Sequence, residues 1–341
     1  MIRFLRTCSG PRLHRRLATL LALALAPSLA TAAEAKKLVI GTPGVPAVFS
    51  AVIVYVAEKE GMFKQYGADV EIRPFETGTA AARAVLAGDI DLSVSPTQLI
   101  VNQVSNANAN LVGIYGLPNP DWILASVDPA KTDCKDIAGQ QVGIDAVGAA
   151  RSLALRGMLI GCPGVKIEDV QQVALSSTVG PAMVAGQLKF GVLHLDDVAV
   201  LETQGKKVFK LLTAKQTSPN SHYLLAVARQ DRLKDNRPGF VAVVAALTAA
   251  ARFMQLPENA DRVAEAAAPT GHSKPVAKAA LKEFLEYGLW ATVDDGMDEK
   301  KIAAVIALQA KVGGILPGKE PVKVERLIDG SIWREAEKLV K

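Results

Sequence analysis

Residues 75–94 and 175–193 are two versions of one unit, and a chain patterned this way is expected to fold as two like halves. The first version passes from Phe75-Glu76-Thr77-Gly78 into a small-residue helix over 80–87, turns at Gly88-Asp89 and enters an apolar strand over 90–94. The second passes from Leu175-Ser176-Ser177-Thr178 into a helix over 181–185, turns at Gly186-Gln187 and enters a strand over 190–194. In both, polar residues stand where a strand ends and a helix begins. Backbone N–H groups at a helix start lack intrahelical partners and can face an anion or a polar ligand. Two such edges, one from each half, make a cleft.

The units sit inside a longer alternation. Strands are expected at 37–40, 70–73, 90–94 and 111–115, with helices between them, and again at 142–145, 170–174, 190–194 and 208–212. Short apolar strands separated by helical stretches indicate a largely parallel sheet covered on both faces. The turn-rich Leu117-Pro118-Asn119-Pro120-Asp121 leads into a strand at 122–127 that reads as a crossing between halves. Thr217-Ser218-Pro219-Asn220 precedes the return crossing at 223–228. From 239 onward the chain is mainly helical, and these helices are expected to wrap the first half. The resulting division is 34–121 with 220–341 as lobe one, and 122–219 as lobe two.

Residues 1–33 carry Arg3, Arg6, Arg12, Arg15 and Arg16 with no acid, then an apolar run over 17–30, then Thr31-Ala32-Ala33. That is the pattern of a cleaved secretory signal, cut after Ala32 or Ala33. The run is shorter than the roughly 20 residues a membrane span needs and contains Pro27. Taking those five arginines from the 39 Lys and Arg leaves 34, equal to the 34 Asp and Glu. The net charge of +5 therefore belongs to the leader and gives no ground for nucleic-acid binding. After cleavage Cys134 and Cys162 remain, placed at the same end of one βαβ unit, and a structural disulfide between them is expected over the alternative of two buried thiols in an oxidising compartment.

The words Lys37-Leu-Val-Ile-Gly41, Ala57-Glu-Lys-Glu-Gly-Met-Phe63 with Tyr66-Gly67 and Val70-Glu71, Leu86-Ala-Gly-Asp-Ile-Asp91, Asp136-Ile-Ala-Gly139 and the stretch 258–281 with its Thr270-Gly271 break occur in this order. Together they resemble the periplasmic solute-binding proteins of the nitrate, sulfonate, taurine and thiamine-precursor type, the NMT1/SsuA-like family, over almost all of the mature chain. The resemblance implies a type II periplasmic binding fold, two α/β lobes joined by two crossing strands with a helical C-terminal extension packed on lobe one. It also implies a monomer in the periplasm that delivers its cargo unaltered to an ABC permease of the inner membrane. Where many relatives carry Gly-Ser-Ser after the first strand of lobe two, this chain has Asp145-Ala-Val-Gly-Ala-Ala-Arg-Ser152, which weighs against sulfonate or nitrate.

Candidate ligand contacts follow from the strand-to-helix edges, where open α/β sheets bind ligands. They are Thr42, Pro43 and Gly44; Thr77 and Gly78; Ser95 and Thr97; Gly148; Ser177 and Thr178; and His194 with Asp196. Each hydroxyl can equally serve as a helix cap. Arg151, in the first turn after Gly148, has the planar fork that grips a carboxylate, and a carboxylate cargo, aromatic in part, is expected over a sulfonate. Arg151 can as well serve a surface or inter-helix role, and Arg83 is read as a surface residue. Tyr115 and Trp122, with Phe49 and Tyr223 behind them, are the aromatic candidates, each also a natural core residue.

No HExxH, spaced Cys/His set, GxSxG, GxxxxGK[ST] or post-strand GxGxxG occurs, so no cofactor, metal or catalytic residue is expected. The alternatives are an enzyme of the thiamine-pyrimidine synthase type on the same scaffold, whose cysteine-rich metal motif is missing here, and a periplasmic ligand sensor.

Overall fold

A computed structural model describes residues 37–176 and 178–340; the expected leader at 1–33 and the candidate Ser177 lie outside the described residues. Ten strands form two sheets. They are β1 (Leu38–Pro43), β2 (Val70–Phe75), β3 (Leu92–Pro96), β4 (Leu111–Leu117), β5 (Ile123–Ser126), β6 (Gln141–Ile144), β7 (Gln171–Ala174), β8 (Phe190–Leu193), β9 (Phe209–Thr213) and β10 (Leu224–Arg229). The first sheet runs β2-β1-β3-β10-β4 and the second β7-β6-β8-β5-β9.

The two orders are the same pattern. In each sheet the first strand of the unit pairs in parallel with the next two, β1 with β2 and β3, β6 with β7 and β8. In each, one antiparallel strand separates the third from the last: β10 between β3 and β4, β5 between β8 and β9. That antiparallel strand comes from beyond the other half's sequence, so the chain passes between sheets twice, through 118–122 and 214–223. The expected crossing strands are thus the segments just before β5 and β10, and each strand proper belongs to one sheet.

The repeated units have equivalent places. Helix Gly78–Ala87 links β2 to β3, and helix Val179–Val184 links β7 to β8. Thr77 caps the first, its Oγ1 accepting from Ala80 N at 3.1 Å. The second lies low on its sheet because β6 and β8 place Gly143 beside Gly191, and a Cβ on either would meet Val179 Cγ1 within 2.8 Å. Glycine is selected there for close approach of helix and sheet.

The C-terminal helices pack on the first sheet's layers and also reach beyond them. Helix Arg237–Met254 is long and apolar enough to cross a membrane by length and composition, yet 72% of that window is buried, which makes it a core helix lying against helix Val52–Lys59. Helix Lys274–Tyr287 packs on helix Leu195–Thr203, which follows β8, and Phe284 stacks on Phe49 at 5.1 Å. Past helix Glu299–Lys311, the carbonyl of Val312 accepts from Arg156 Nη1 of helix Ala150–Met158 at 3.0 Å. The extension therefore touches elements around both sheets.

Cys134 and Cys162 are joined, with Cα atoms 6.0 Å apart and a sequence separation of 28. Replacing both by Ser should lower the unfolding free energy by about 3 to 4 kcal/mol if the gain is loop entropy. Urea titrations of the oxidised protein and the double variant check this; equal midpoints would deny the bridge a stabilising role.

His222 is a second measurable element of the core. Its Nε2 lies 2.6 Å from the carbonyl of Gly296, which can only accept, so Nε2 carries the proton and Nδ1 accepts from Thr97 Oγ1 at 2.7 Å. Burial, opposed in part by the Gly296 bond, drops its pKa from 6.5 to about 4. The unfolded chain takes up this proton first, so stability should fall as pH drops from about 6.5 towards 4, by about 3 kcal/mol over the window. Denaturation at stepped pH tests the sign, and His222→Gln should flatten that slope.

Candidate functional site

The carboxyl ends of the parallel strands in the two sheets face each other across a cleft. From the first sheet it is lined by Pro43 and Gly44 after β1, Glu76-Thr77-Gly78 after β2 and Pro96 at the end of β3; from the second by Asp145 after β6, Ala150 and Arg151, Ser176 after β7 and His194 after β8. Trp122 and Tyr223, from the two crossings, line it too. A wider cavity of about 780 Å³ adjoins it, sharing Val48, Arg151 and His194 and adding Thr178, Asp196, Asp197 and His272. The two edges touch directly: Ser176 Oγ donates to Glu76 Oε2 at 3.2 Å. Gly78 is required at the wall, since a Cβ there would meet Pro96 Cδ at 2.8 Å.

The polar floor is built from buried pairs. Asp121, fully buried, accepts from His194 Nδ1 with both oxygens at 3.0 Å and from Leu195 N at 3.3 Å. An ionised carboxylate cannot donate, so His194 carries its proton on Nδ1. Tyr223 OH lies 3.3 Å from the same nitrogen. Burial and the nearby Asp121 push that phenol well above its ordinary range, so it stays a neutral hydroxyl. Trp122 packs on His194 with ring centres 4.0 Å apart, and the Arg151 guanidinium lies over its ring at 5.8 Å.

Arg151 is 3% exposed, and its Nη1 donates to the Val192 carbonyl and to Asp197 Oδ2 at 3.0 Å. Burial alone would weaken its hold on the proton, but Asp197, Asp145 and Asp196 together outweigh burial and raise its pKa, so the charge is permanent. Its backbone N–H is also taken, donating to Asp145 Oδ1 at 3.1 Å. On the far side of the wider cavity, His272 Nε2 meets Asp196 Oδ2 at 2.9 Å. Burial disfavours a charged His272, yet its pKa is raised because the bond and charge of Asp196 dominate. Three buried polar atoms on these walls have no partner: Ser50 Oγ, Trp122 Nε1 and Asp196 Oδ1. Ser50 lies beside the Tyr223 hydroxyl without a well-formed bond to it. Unpartnered buried polar atoms are uncommon, and beside a cavity they mark where a ligand's own groups belong.

Of the sequence candidates, Pro43, Gly44, Thr77, Gly78, Trp122, Arg151, Thr178, His194 and Asp196 come together on these walls. Others do not line them. Thr42 is buried behind, its hydroxyl 2.9 Å from Tyr55 OH. Phe49 is consumed by the stack with Phe284, Thr97 by His222 and Ser95 by the Gly78 carbonyl at 3.2 Å. Tyr115 is a core residue whose hydroxyl donates to the Ala291 carbonyl. Gly148 forms a turn at φ +77° with open space around it. Arg83 is exposed, as expected. The corrections at Thr42, Ser95 and Tyr115 share one cause: alternation along a strand sends neighbouring residues to opposite faces, and period-two direction cannot be anchored without the sheet. Ser50 and Asp121 were missed as wall and floor residues. Ser50 sits in an apolar stretch without a motif, and Asp121 reads as an ordinary turn residue. Among the described residues no group of three or more His, Cys, Asp or Glu is placed to hold a metal.

The family model described as NMT1/THI5 like matches residues 49–260. A binding protein of Brucella abortus is 22% identical over 204 residues, covering 59% of this chain and 62% of the relative's own length. Among solved structures, a Bordetella bronchiseptica protein superposes with a TM-score of 0.76 at 21% identity, covering 90% of this chain and 98% of its own. The periplasmic nitrate-binding protein of Synechocystis PCC 6803 superposes with a TM-score of 0.73 at 14% identity, covering 90% of each chain.

Arg151→Met would leave Asp197 buried without its partner, at an expected cost of about 3 to 5 kcal/mol. Urea unfolding checks it, and adding Asp197→Leu should recover part of the loss.

Proposed function

Because the chain belongs to the NMT1/THI5-like family, we propose that it is the ligand-binding component of an ABC importer. It works in the periplasm as a monomer, exported by its leader, closing on a small molecule and passing it unaltered to a membrane permease. The observation that carries this reading is the repeated sheet order whose strand ends converge on one cleft. A ligand lodged there touches both sheets at once. Only contacts better made in the closed form can draw the halves together, and a cleft walled by both supplies them.

In this reading lobe one is 34–121 with 220–341, lobe two is 122–219, and 118–122 and 214–223 are the hinges. Ser176 and Glu76 then form a latch across the mouth, and His272 with Asp196 a second one. The leading rival is catalysis, since the family's description also takes in THI5-like proteins. Against it, the Asp121 and His194 pair is bound into the floor, with Nδ1 already engaged by Asp121 and by the Tyr223 hydroxyl, which burial keeps neutral. A sensor that reports the closed form to a membrane receptor would use the same motion.

A carboxylate cargo was the expectation drawn from Arg151. That guanidinium now carries an ion pair with Asp197, so the charge class of the cargo depends on the acids around it.

Mass spectrometry of protein purified gently from its native host should find one small molecule released on denaturation. Adding it back should contract the protein in solution scattering, and incubation should return it unchanged. A converted product would support the enzyme reading, and an envelope unmoved at saturation would end the clamping one.

A further inference from the structure

The acids on these walls outnumber the cations, and the unpartnered atoms extend the same imbalance. Four carboxylates line the two adjoining cavities, Glu76, Asp145, Asp196 and Asp197, and Asp121 lies beneath. Among the described lining residues Arg151 is the one side chain of permanent positive charge, and it is spent on Asp197. His194 and His272 are the other basic groups facing this space, and each is bonded to an Asp.

Several donors that would greet an anion are occupied as well. Arg151 N donates to Asp145, His194 N to Asp197 Oδ2 at 3.0 Å, Leu195 N to Asp121 and Ala80 N to Thr77. Thr77, Asp145, Asp197 and Asp121 thus occupy donors at three helix starts, a place an anionic cargo would take, while helix Val179–Val184 begins with no side-chain cap. Asp196, 6% exposed, meanwhile keeps Oδ1 without a donor. A buried carboxylate oxygen left unpaired is costly, and an N–H from a ligand is the group that relieves it.

Resting on the reading of this cleft as a ligand site, we propose that the cargo is a small organic cation, bearing an ammonium or amidinium group held by carboxylates, and not an anion. Glu76 and Asp145 face it from opposite sheets, and Asp196 supplies the unpaired oxygen. The negative walls would also draw a cation in and repel an anion before contact.

The test uses four probes that share one ring and differ in the head group: benzamidinium, benzamide, benzoate and benzenesulfonate. Titration calorimetry and thermal unfolding of the mature protein should show binding of benzamidinium at least about tenfold tighter than benzoate or benzenesulfonate, a gap of about 1.4 kcal/mol. Glu76→Gln, at the exposed rim, should weaken benzamidinium several-fold and leave benzamide unchanged. Asp196→Asn tests the buried oxygen in the same way. A variant that merely loosens the fold would weaken both probes alike, and circular dichroism would report it. Tighter binding of benzoate or benzenesulfonate than of benzamidinium overturns the cation and leaves the receptor reading standing. Silence with all four overturns both.

Discussion

Helix starts facing one another across a gap set the terms for this structure. Parallel strands bring every βα turn of a half to the same edge, and each turn delivers N–H groups without intrahelical partners. Two such edges opposed would repel, each carrying the positive end of several helix dipoles. Here Asp145, Asp197, Asp121 and Thr77 occupy donors at three of those ends, and Ser176 reaches Glu76 across the gap.

The same closure decides what the cleft can recognise. An arginine read in isolation promises an anion site, whereas an arginine buried against Asp197 is a structural cation that holds helix Leu195–Thr203 and helix Ala150–Met158 together. Removing one member of such a pair is expensive because the other stays buried and charged. Around the cleft the fold leaves Ser50 Oγ, Trp122 Nε1 and Asp196 Oδ1 unpaired.

The type II periplasmic binding fold frames this chemistry. Its halves are joined by two short segments, and the C-terminal helices that reach both sheets through Arg156 and helix Lys274–Tyr287 limit how far they part. Trp122 and Tyr223 belong to the joining segments and to the cleft wall together.

Much of this was legible in the chain itself. The alternation of short apolar strands with helices, the repeated unit at 75–94 and 175–193, the partner cysteines and the edge residues Gly44, Thr77 and Gly78 all follow from local rules of periodicity, capping and turn chemistry. Those rules act over a few residues, so one sequence suffices to read them. The partnerships that assign roles act over long separations: His194 with Asp121 across 73 residues, His222 with Thr97 across 125, Ser176 with Glu76 across 100. Tyr115 and Phe49 look like binding aromatics until the packed sheets bury them, and Arg151 looks free until Asp197 arrives. Sequence determined which segments are strands, which are helices and which turns meet at an edge. Tertiary structure alone decided which side chains face the gap and which charges are already spent, because a side chain's direction and its electrostatic partner exist only once distant segments are packed together.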